Sequence, residues 1–246
     1  MSKIWITWNP ITWCTKYSDW CKNCYAKSMA EKFQKLWVAK YKNWFELTFH
    51  EDTLSFPEKT KKPSIIFPNS MTDLFHENIP FENLKKIFEI MNKNNQHLYS
   101  ILTKRSKRLL ELSEKLEIWD HIRVWVTVES NKYYERISDL KKVKCKKRYI
   151  CVEPILSSLD DINLDWIDWV TWWTETWPSS RVPKDERIIN LNKKCSEAWI
   201  PFSFKHRDNE KKSIYYDYPI EFKNKEEENL NFTPNKTNKN QLELDF

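Results

Sequence analysis

The chain of 246 residues contains no glycine. A chain of this length ordinarily carries about 17 glycines, because glycine supplies the positive-φ positions of turns and helix ends. The chain also contains no apolar run of about 18 residues, so no membrane-spanning helix is expected. The first residues lack the apolar core of a secretory signal peptide, which predicts a cytoplasmic location.

Tryptophan is abundant where glycine is missing, with 14 residues in the chain. Several tryptophans stand in predicted turns, where a bulky side chain is unfavourable at positive φ. We hypothesise that many of them are glycines decoded with the wrong table, for instance from a UGA codon. The alternative is that they are real tryptophans that pack in the core as aromatic side chains.

Charge and cysteine content narrow the classes of function that remain. The net charge of +6 permits contact with nucleic acid without establishing it. The chain has six cysteines, and three of them are clustered, which fits metal binding in a reducing compartment better than a disulfide framework. The scattered Cys145, Cys151 and Cys195 are expected to be buried thiols.

The three clustered cysteines are Cys14, Cys21 and Cys24, in a C-x6-C-x2-C arrangement. Three thiolates can hold a 4Fe–4S cluster and leave one iron open for a substrate or cofactor. A structural zinc site needs a fourth protein ligand, for which His76 or Cys151 is available. Three reduced thiols in a turn are the remaining alternative.

Short apolar runs alternate with helical stretches along the chain, which predicts parallel strands joined by crossover helices. The fold class expected is therefore α/β, a barrel or partial barrel. Strands are predicted over 64–67, 97–103, 124–129, 148–153, 167–171 and 201–205. Helices are predicted over 25–36, 80–93, 106–116, 131–142 and 184–198.

Polar residues follow most of the predicted strands. In parallel α/β folds the carboxyl ends of the strands meet at one edge, where sites are formed. Taken singly, each of these residues is equally suited to cap a helix or face solvent. As a set they predict a site, and they are Asn69, Ser70, Asp73, Lys104, Arg105, Glu129, Glu153 and Glu175.

The last residues have a different composition. Residues 222–246 are rich in Lys, Glu and Asn and are predicted to be a disordered tail after a domain of residues 1–221. The tail ends with Gln241, Leu242, Leu244 and Phe246, which resemble the peptide that docks replication and repair proteins on the sliding clamp. A fortuitous sequence or a strand packed on the domain would look the same.

Seven motifs occur in a fixed order along the chain: Thr7-Trp-Asn-Pro10, the cysteine loop, Asn69–His76, Leu102–Arg105, Val126–Glu129, Cys151–Leu156 and Asp168–Val170. Together they resemble an uncharacterised phage-associated three-cysteine-motif family. That family is in turn similar to radical S-adenosylmethionine proteins of the spore photoproduct lyase type. The resemblance covers about residues 3–206. In that family glycines stand at Trp13, Trp20, Trp44, Trp125, Trp177 and Trp199, whereas Trp8 and Trp169 match family tryptophans.

The resemblance implies a partial (β/α)6 barrel with a 4Fe–4S cluster on Cys14, Cys21 and Cys24. S-Adenosylmethionine would bind the open iron and be cleaved to methionine and a 5′-deoxyadenosyl radical after an unidentified donor supplies an electron. The side chains expected to line the cofactor pocket are those of Asn69, Ser70, Asp73, Glu129 and Glu153, with Tyr25 over the adenine. Lys104 and Arg105 would meet a carboxylate or phosphate of the substrate.

Two departures from the wider superfamily weaken this expectation. The usual loop is C-x3-C-x2-C, and Asn69-Ser-Met stands where a Gly-Gly-Glu segment is usual. A radical enzyme acting on nucleic acid is therefore one hypothesis. The others are a non-catalytic zinc module that binds nucleic acid or protein, and a scaffold recruited by its tail.

Overall fold

The computed structural model describes residues 4–41, 46–173, 175, 181, 184–207 and 213–214. The predicted tail over 222–246, including Gln241, Leu242, Leu244 and Phe246, lies outside the described residues, as do Trp44 and Trp177. The predicted domain boundary at 221 and the clamp-binding peptide therefore stay predictions.

The described chain alternates strands and helices in the predicted order. The helices are α1 (Tyr25–Lys35), α2 (Phe56–Lys59), α3 (Phe81–Lys93), α4 (Ser106–Ser113), α5 (Glu135–Lys142) and α6 (Asp185–Glu197). The strands are β1 (Ile4–Thr7), β2 (Ile11–Thr12), β3 (Thr48–Phe49), β4 (Ser64–Phe67), β5 (Leu98–Thr103), β6 (Ile122–Thr127), β7 (Arg148–Val152), β8 (Trp169–Trp173), β9 (Phe202–Arg207) and β10 (Ser213–Ile214).

One sheet organises the molecule, with the strand order β1-β4-β5-β6-β7-β8-β9-β10. The first seven of these strands are parallel, and β10 pairs antiparallel with β9. The sheet curls into a half-barrel with crossover helices, which confirms the predicted α/β partial barrel. The short β2–β3 hairpin lies outside this sheet.

The outer face of the sheet packs against the helices. Alternate strand residues such as Ile66, Ile101, Val126 and Ile150 are fully buried on this side. They meet the apolar faces of the crossover helices, which contribute Leu84, Ile87, Phe88, Met91, Leu109, Ile137, Leu140 and Leu191. This is the main hydrophobic core, and burial of these side chains is the largest stabilising term of the fold.

The inner face of the sheet has two different halves. At the amino ends of the strands a compact cluster fills the half-barrel, and we call it the aromatic plug: Ile65, Leu98, Trp125, Tyr149, Cys151 and Trp169. Two residues further along β6 and β8 the same face becomes polar, with buried Thr127 and Thr171, and buried Ser203 of β9 pairs with Thr171. Because every second side chain of a strand lies on the same face, the inner face itself changes from apolar to polar along the direction of the strands.

The predicted elements agree with the structure to within a few residues, with five exceptions. Strand β1, the hairpin of β2 and β3, helix α2 and strand β10 were missed, because runs of four and two residues carry almost no periodic signal. The helix predicted over 131–142 begins only at Glu135, because Asn131–Tyr133 forms a 3-10 turn. Within the described part of the chain, every helix is too short or too polar to cross a bilayer.

Candidate functional site

A cavity of about 480 Å³ opens at the carboxyl ends of the parallel strands, directly above the aromatic plug. Its floor and walls are formed by residues at or just after the ends of β1, β4, β5, β7 and β8. These residues are Thr7, Phe67, Asn69, Ser70, Thr72, Asp73, Leu102, Lys104, Arg105, Glu153, Trp173 and Glu175. The cysteine loop and the start of α1 form the other side.

All three clustered cysteines line this cavity. Cys14 follows β2, Cys21 is buried in the 3-10 turn Asp19–Asn23, and Cys24 is the residue before α1. The three thiols are free, as are those of the scattered cysteines, which are buried as predicted. Burial and, to a smaller degree, the charge of Asp73 raise the pKa of Cys14 to about 11, and nearby Arg105 opposes this rise.

Helix α1 brings the cysteine loop close to the sheet. Its small residues Ala26 and Ala30 are buried against Met71, which lies in the loop after β4. Trp13 also bridges to Thr72 in that loop, and its N–H donates to the Met71 carbonyl over 3.3 Å. Because small helix residues allow close approach, the last cysteine and the strand ends share one cavity.

The three thiols are the side chains of the cavity that could hold a metal centre. Among the described residues, no three His, Cys, Asp or Glu side chains converge tightly enough to hold one metal ion. A structural zinc would need four ligands around one centre, whereas an iron–sulfur cluster would take each thiolate on a separate iron. Three thiols on one cavity wall are the protein ligands that a cluster with one open iron would need.

Arg105 connects the cysteine loop to the strand ends. Its guanidinium is 2% exposed, and Nε donates to both Glu77 carboxylate oxygens at 3.0 and 3.2 Å. On the loop side, Nη2 donates to the Oγ1 and carbonyl of Thr15 at 3.1 and 3.4 Å, and Nη1 lies 3.8 Å from the Cys14 sulfur. The guanidinium also lies 4.7 Å from the ring centre of Tyr17. The planar guanidinium of Arg105 therefore connects the cysteine loop at Thr15 to the segment that contains Glu77.

Asp73 organises the strand-end loop around it. Its carboxylate accepts from Thr103 Oγ1 at 2.6 Å and from the backbone N–H groups of Lys104 and Phe75 at 2.9 and 3.1 Å. The same carboxylate lies 3.4 Å from Arg105 Nη1. These contacts make Asp73 a structural centre as well as a cavity residue.

Asn69 presents an acceptor that the described protein atoms leave unsatisfied. Its Nδ2 donates to the Leu102 carbonyl at 2.5 Å, which fixes the orientation of the amide. Its Oδ1 is buried and has no hydrogen-bond partner among the described residues, although Asn69 lines the cavity. Neighbouring Ser70 hydrogen-bonds to Asn9, whose Oδ1 also accepts from Met71 N–H at 3.0 Å. A buried acceptor without a partner is costly unless a ligand or water satisfies it.

The remaining predicted residues divide between the cavity and the interior. Lys104 is buried, with Nζ 3.3 Å from Thr127 Oγ1 and 3.9 Å from the ring centre of Trp20. Glu153 and the half-exposed Tyr25 both line the cavity. The carboxylate of Glu175 is paired with Arg181. Burial raises the pKa of this carboxylate, but the paired guanidinium outweighs burial, so the pKa lies below its usual value.

Glu129 differs from the other predicted residues because it is fully buried and does not line the cavity. Its Oε2 lies 2.8 Å from Arg136 Nη1, and its Oε1 accepts from Ser18 in the cysteine loop. Removing one partner of such a buried pair leaves an uncompensated charge. Glu129 therefore holds the cysteine loop to the protein interior through its contact with Ser18.

Sequence reasoning missed the residues that join the cysteine loop to the sheet: Asn9, Thr15, Tyr17, Ser18 and Glu77. Asn9 belongs to the Thr7–Pro10 motif, so its presence in that motif was a usable signal. The others carry no local signal, because their partners lie 28 or more positions away in the chain.

The half-barrel and the three-cysteine cavity define an α/β protein with a candidate metal and cofactor site at the carboxyl edge of its sheet. The chain belongs to the family described as "Protein of unknown function (DUF5131)", whose model matches residues 2–240. No curated protein matches the chain.

Among solved structures, the chain is similar to spore photoproduct lyase. A mutant with bound AdoMet and dinucleoside spore photoproduct has a TM-score of 0.48 and 14% identity, over 87% of this chain and 68% of that one. A second mutant has a TM-score of 0.47 and 15% identity, over 87% and 68%. A complex with dinucleoside spore photoproduct has a TM-score of 0.46 and 14% identity, over 86% and 67%.

Proposed function

We propose that this protein is an iron–sulfur, S-adenosylmethionine-dependent radical enzyme, with Cys14, Cys21 and Cys24 as the cluster ligands. The observation that carries the proposal is the shared cavity, which three free thiols and the polar ends of five parallel strands line together. An open α/β half-barrel offers this edge for cofactor binding. The bound cofactors would supply a carbon-centred radical that abstracts hydrogen from a substrate.

The protein's own residues would position the cofactor and shield it from water. The Oδ1 of Asn69 is a buried acceptor that no described residue of the protein satisfies, so it suits the amino group of S-adenosylmethionine. Ser70, Asp73 and Glu153 lie along the same wall, and Tyr25 lies at its edge beside Cys24. We assign Glu129 to holding the cysteine loop through Ser18 rather than to ligand contact.

Lys104 and Arg105 supply the positive charge of the cavity. We assign Lys104 to an anionic group of cofactor or substrate, since its ammonium has one neutral hydrogen-bonding partner among the described residues. Arg105 is already engaged with Asp73 and Glu77, so its role is to position Thr15 and Cys14.

The test is metal analysis of the full chain after anaerobic purification and reconstitution. The proposal expects iron and sulfide in equal amounts, about four of each per chain, with visible absorption of a cluster. Cys14→Ala should lose the cluster, whereas Cys195→Ala, a buried cysteine outside the cavity, should retain it. One zinc per chain without iron would overturn the proposal in favour of a zinc-binding module.

The substrate class and the partner peptide are further proposals. The net charge of +6 and the clamp-like residues Gln241, Leu242, Leu244 and Phe246 support nucleic acid as the substrate and a sliding clamp as the partner. Deleting 241–246 should abolish clamp association and leave the iron content unchanged. Retained association would remove the docking proposal without affecting the cluster.

A further inference from the structure

The backbone takes the left-handed region at four tryptophans. Their φ values are 122° at Trp13, 54° at Trp37, 64° at Trp166 and 59° at Trp199, and they are the only positive-φ residues in the described part of the chain. Tryptophan supplies 14 of the 246 residues, so random placement does not explain four of four. A positive φ is a genuine outlier for a bulky side chain and ordinary for glycine.

Two of the four positions end a helix in the same way. After α1, Trp37 N–H donates to the Gln34 carbonyl at 2.9 Å and Val38 N–H to the Phe33 carbonyl at 3.0 Å. This pair of bonds defines a Schellman motif with Trp37 at its left-handed position. That position is usually glycine because it has no Cβ to clash with the backbone.

After α6 the motif is repeated. Trp199 N–H donates to the Ser196 carbonyl at 3.2 Å and Ile200 N–H to the Cys195 carbonyl at 2.9 Å. In the third case, Ile167 N–H donates to the Leu164 carbonyl at 3.0 Å. Trp166 is therefore the third residue of a β-turn, where a positive φ again favours glycine.

Exposure separates these tryptophans from those that pack in the interior. Trp37, Trp166 and Trp199 are 93%, 80% and 68% exposed, so their side chains bury little apolar area. Trp8 and Trp169 are 2% and 1% exposed, and Trp8 Nε1 donates to the Thr53 carbonyl at 2.9 Å. The first group strains the backbone without gaining packing, and the second group packs as tryptophan should.

The fourth position lies beside the candidate site. Trp13 immediately precedes Cys14, its carbonyl accepts from Thr72 Oγ1, and its ring centre lies 4.2 Å from that of His76. Its φ lies farther from the left-handed minimum than the other three, in a region that only glycine enters readily. A glycine there would relax the approach to Cys14 and uncover one face of the His76 imidazole.

We infer that glycine occupies the positions of Trp13, Trp37, Trp166 and Trp199 in the protein that the native host makes, because the host translates the corresponding codon as glycine. This inference does not depend on the proposed function. It extends the sequence hypothesis to Trp37 and Trp166, and it gives each position a backbone reason. Trp20 and Trp125, which have no positive φ, are outside it.

The direct test is tandem mass spectrometry of the protein isolated from its native host, together with the codons of its gene. Peptides should contain glycine at positions 13, 37, 166 and 199 and tryptophan at positions 8 and 169, with different codons for the two groups. Tryptophan at the first four positions would overturn the inference.

The backbone argument has its own test in recombinant protein. Trp37→Gly, Trp166→Gly and Trp199→Gly should each raise Tm by about 2–4 °C by removing the left-handed strain. Matched alanine variants retain Cβ and should gain less, and Trp8→Gly should lower Tm. Equal gains for glycine and alanine would overturn the backbone argument, and the peptide masses would still decide the identity.

Discussion

The two halves of the inner face of the sheet have opposite properties. The half at the amino ends is filled by the aromatic plug, where Trp125, Tyr149 and Trp169 contact one another at ring-centre distances of 4.7–5.6 Å. The half at the carboxyl ends is a cavity that carries charged and polar side chains such as Asp73 and Lys104, and the cysteine loop borders it. The same strands thus stabilise the fold at one end and form a site at the other, as in parallel barrels generally.

The largest effect that would test this division is a cavity made in the plug. Tyr149→Ala should lower the free energy of unfolding by about 3–5 kcal/mol, because it empties a fully buried aromatic site. Urea denaturation measures this loss. Iron content per folded chain should not change; a loss of iron at full folding would show that the plug also shapes the site.

Lowering the pH should destabilise the cysteine-loop side of the molecule before it destabilises the aromatic plug. Burial, and secondarily Lys40, lowers the pKa of His50 from 6.5 to about 4, and its Nε2 lies 2.8 Å from Thr12 Oγ1 at the base of the loop. The unfolded chain therefore takes up the proton first as pH falls. Neutral His50 therefore makes its full contribution to the free energy of unfolding above about pH 6.5. This contribution decreases as the pH falls toward 4, by about 3 kcal/mol in total.

The measurement is the free energy of unfolding of wild type and His50→Gln between pH 7 and pH 4. The variant should lose about 3 kcal/mol less over this range, because its side chain does not titrate. Equal slopes for the two proteins would assign the acid sensitivity to other groups, such as His76, whose pKa burial also lowers.

A smaller effect should follow the exchange of Arg105 for lysine. Arg105→Lys keeps the positive charge and loses the fork that joins Thr15 to Glu77, so the loop should loosen at a cost of about 1–2 kcal/mol. Iron release to a chelator should accelerate about tenfold. Arg108→Lys is the control, because Arg108 bonds to the His76 and Ile79 carbonyls rather than to the cysteine loop. Similar acceleration in both variants would remove the positioning role.

The smallest expected effect concerns a single acceptor. Asn69→Ala should weaken S-adenosylmethionine binding by about five- to tenfold, the equivalent of one hydrogen bond of about 1 kcal/mol. Asn92→Ala is closely matched, because Asn92 also donates Nδ2 to a carbonyl and has a buried Oδ1 that no described residue satisfies, but lies on α3 away from the cavity. Calorimetry should show weakening for the first variant alone; an equal effect in both would contradict the assignment.

The strand-end residues of this site could be predicted from the sequence better than the buried contacts that hold the cysteine loop. Asn69, Asp73 and Glu153 lie on the cavity because parallel strands bring their carboxyl ends together, a rule that needs only the β–α alternation. Glu129 followed the same pattern but turned inward, because Arg136 offers it a buried partner. Such pairing depends on tertiary contacts, which strand periodicity does not encode.

The contacts that join the cysteine loop to the sheet were even less predictable from the sequence. Ser18 meets a carboxylate 111 positions away, and Thr15 meets Arg105 at a separation of 90. No local propensity reports contacts of this range. The positions of the missing glycines were partly predictable, since the family resemblance places glycine at Trp13 and Trp199, whereas Trp37 and Trp166 required the backbone angles.

The main core has a consequence for the order of assembly. It runs from Trp8 to Cys195 and includes none of the three loop cysteines, of which Cys14 and Cys24 pack instead at the periphery of a separate small cluster around Ala30. A zinc finger folds only when its metal arrives, since its ligands are its core. Here the chain should fold first and receive the proposed cluster afterwards, so a chelator should strip the iron from the reconstituted protein and leave cooperative unfolding nearly unchanged.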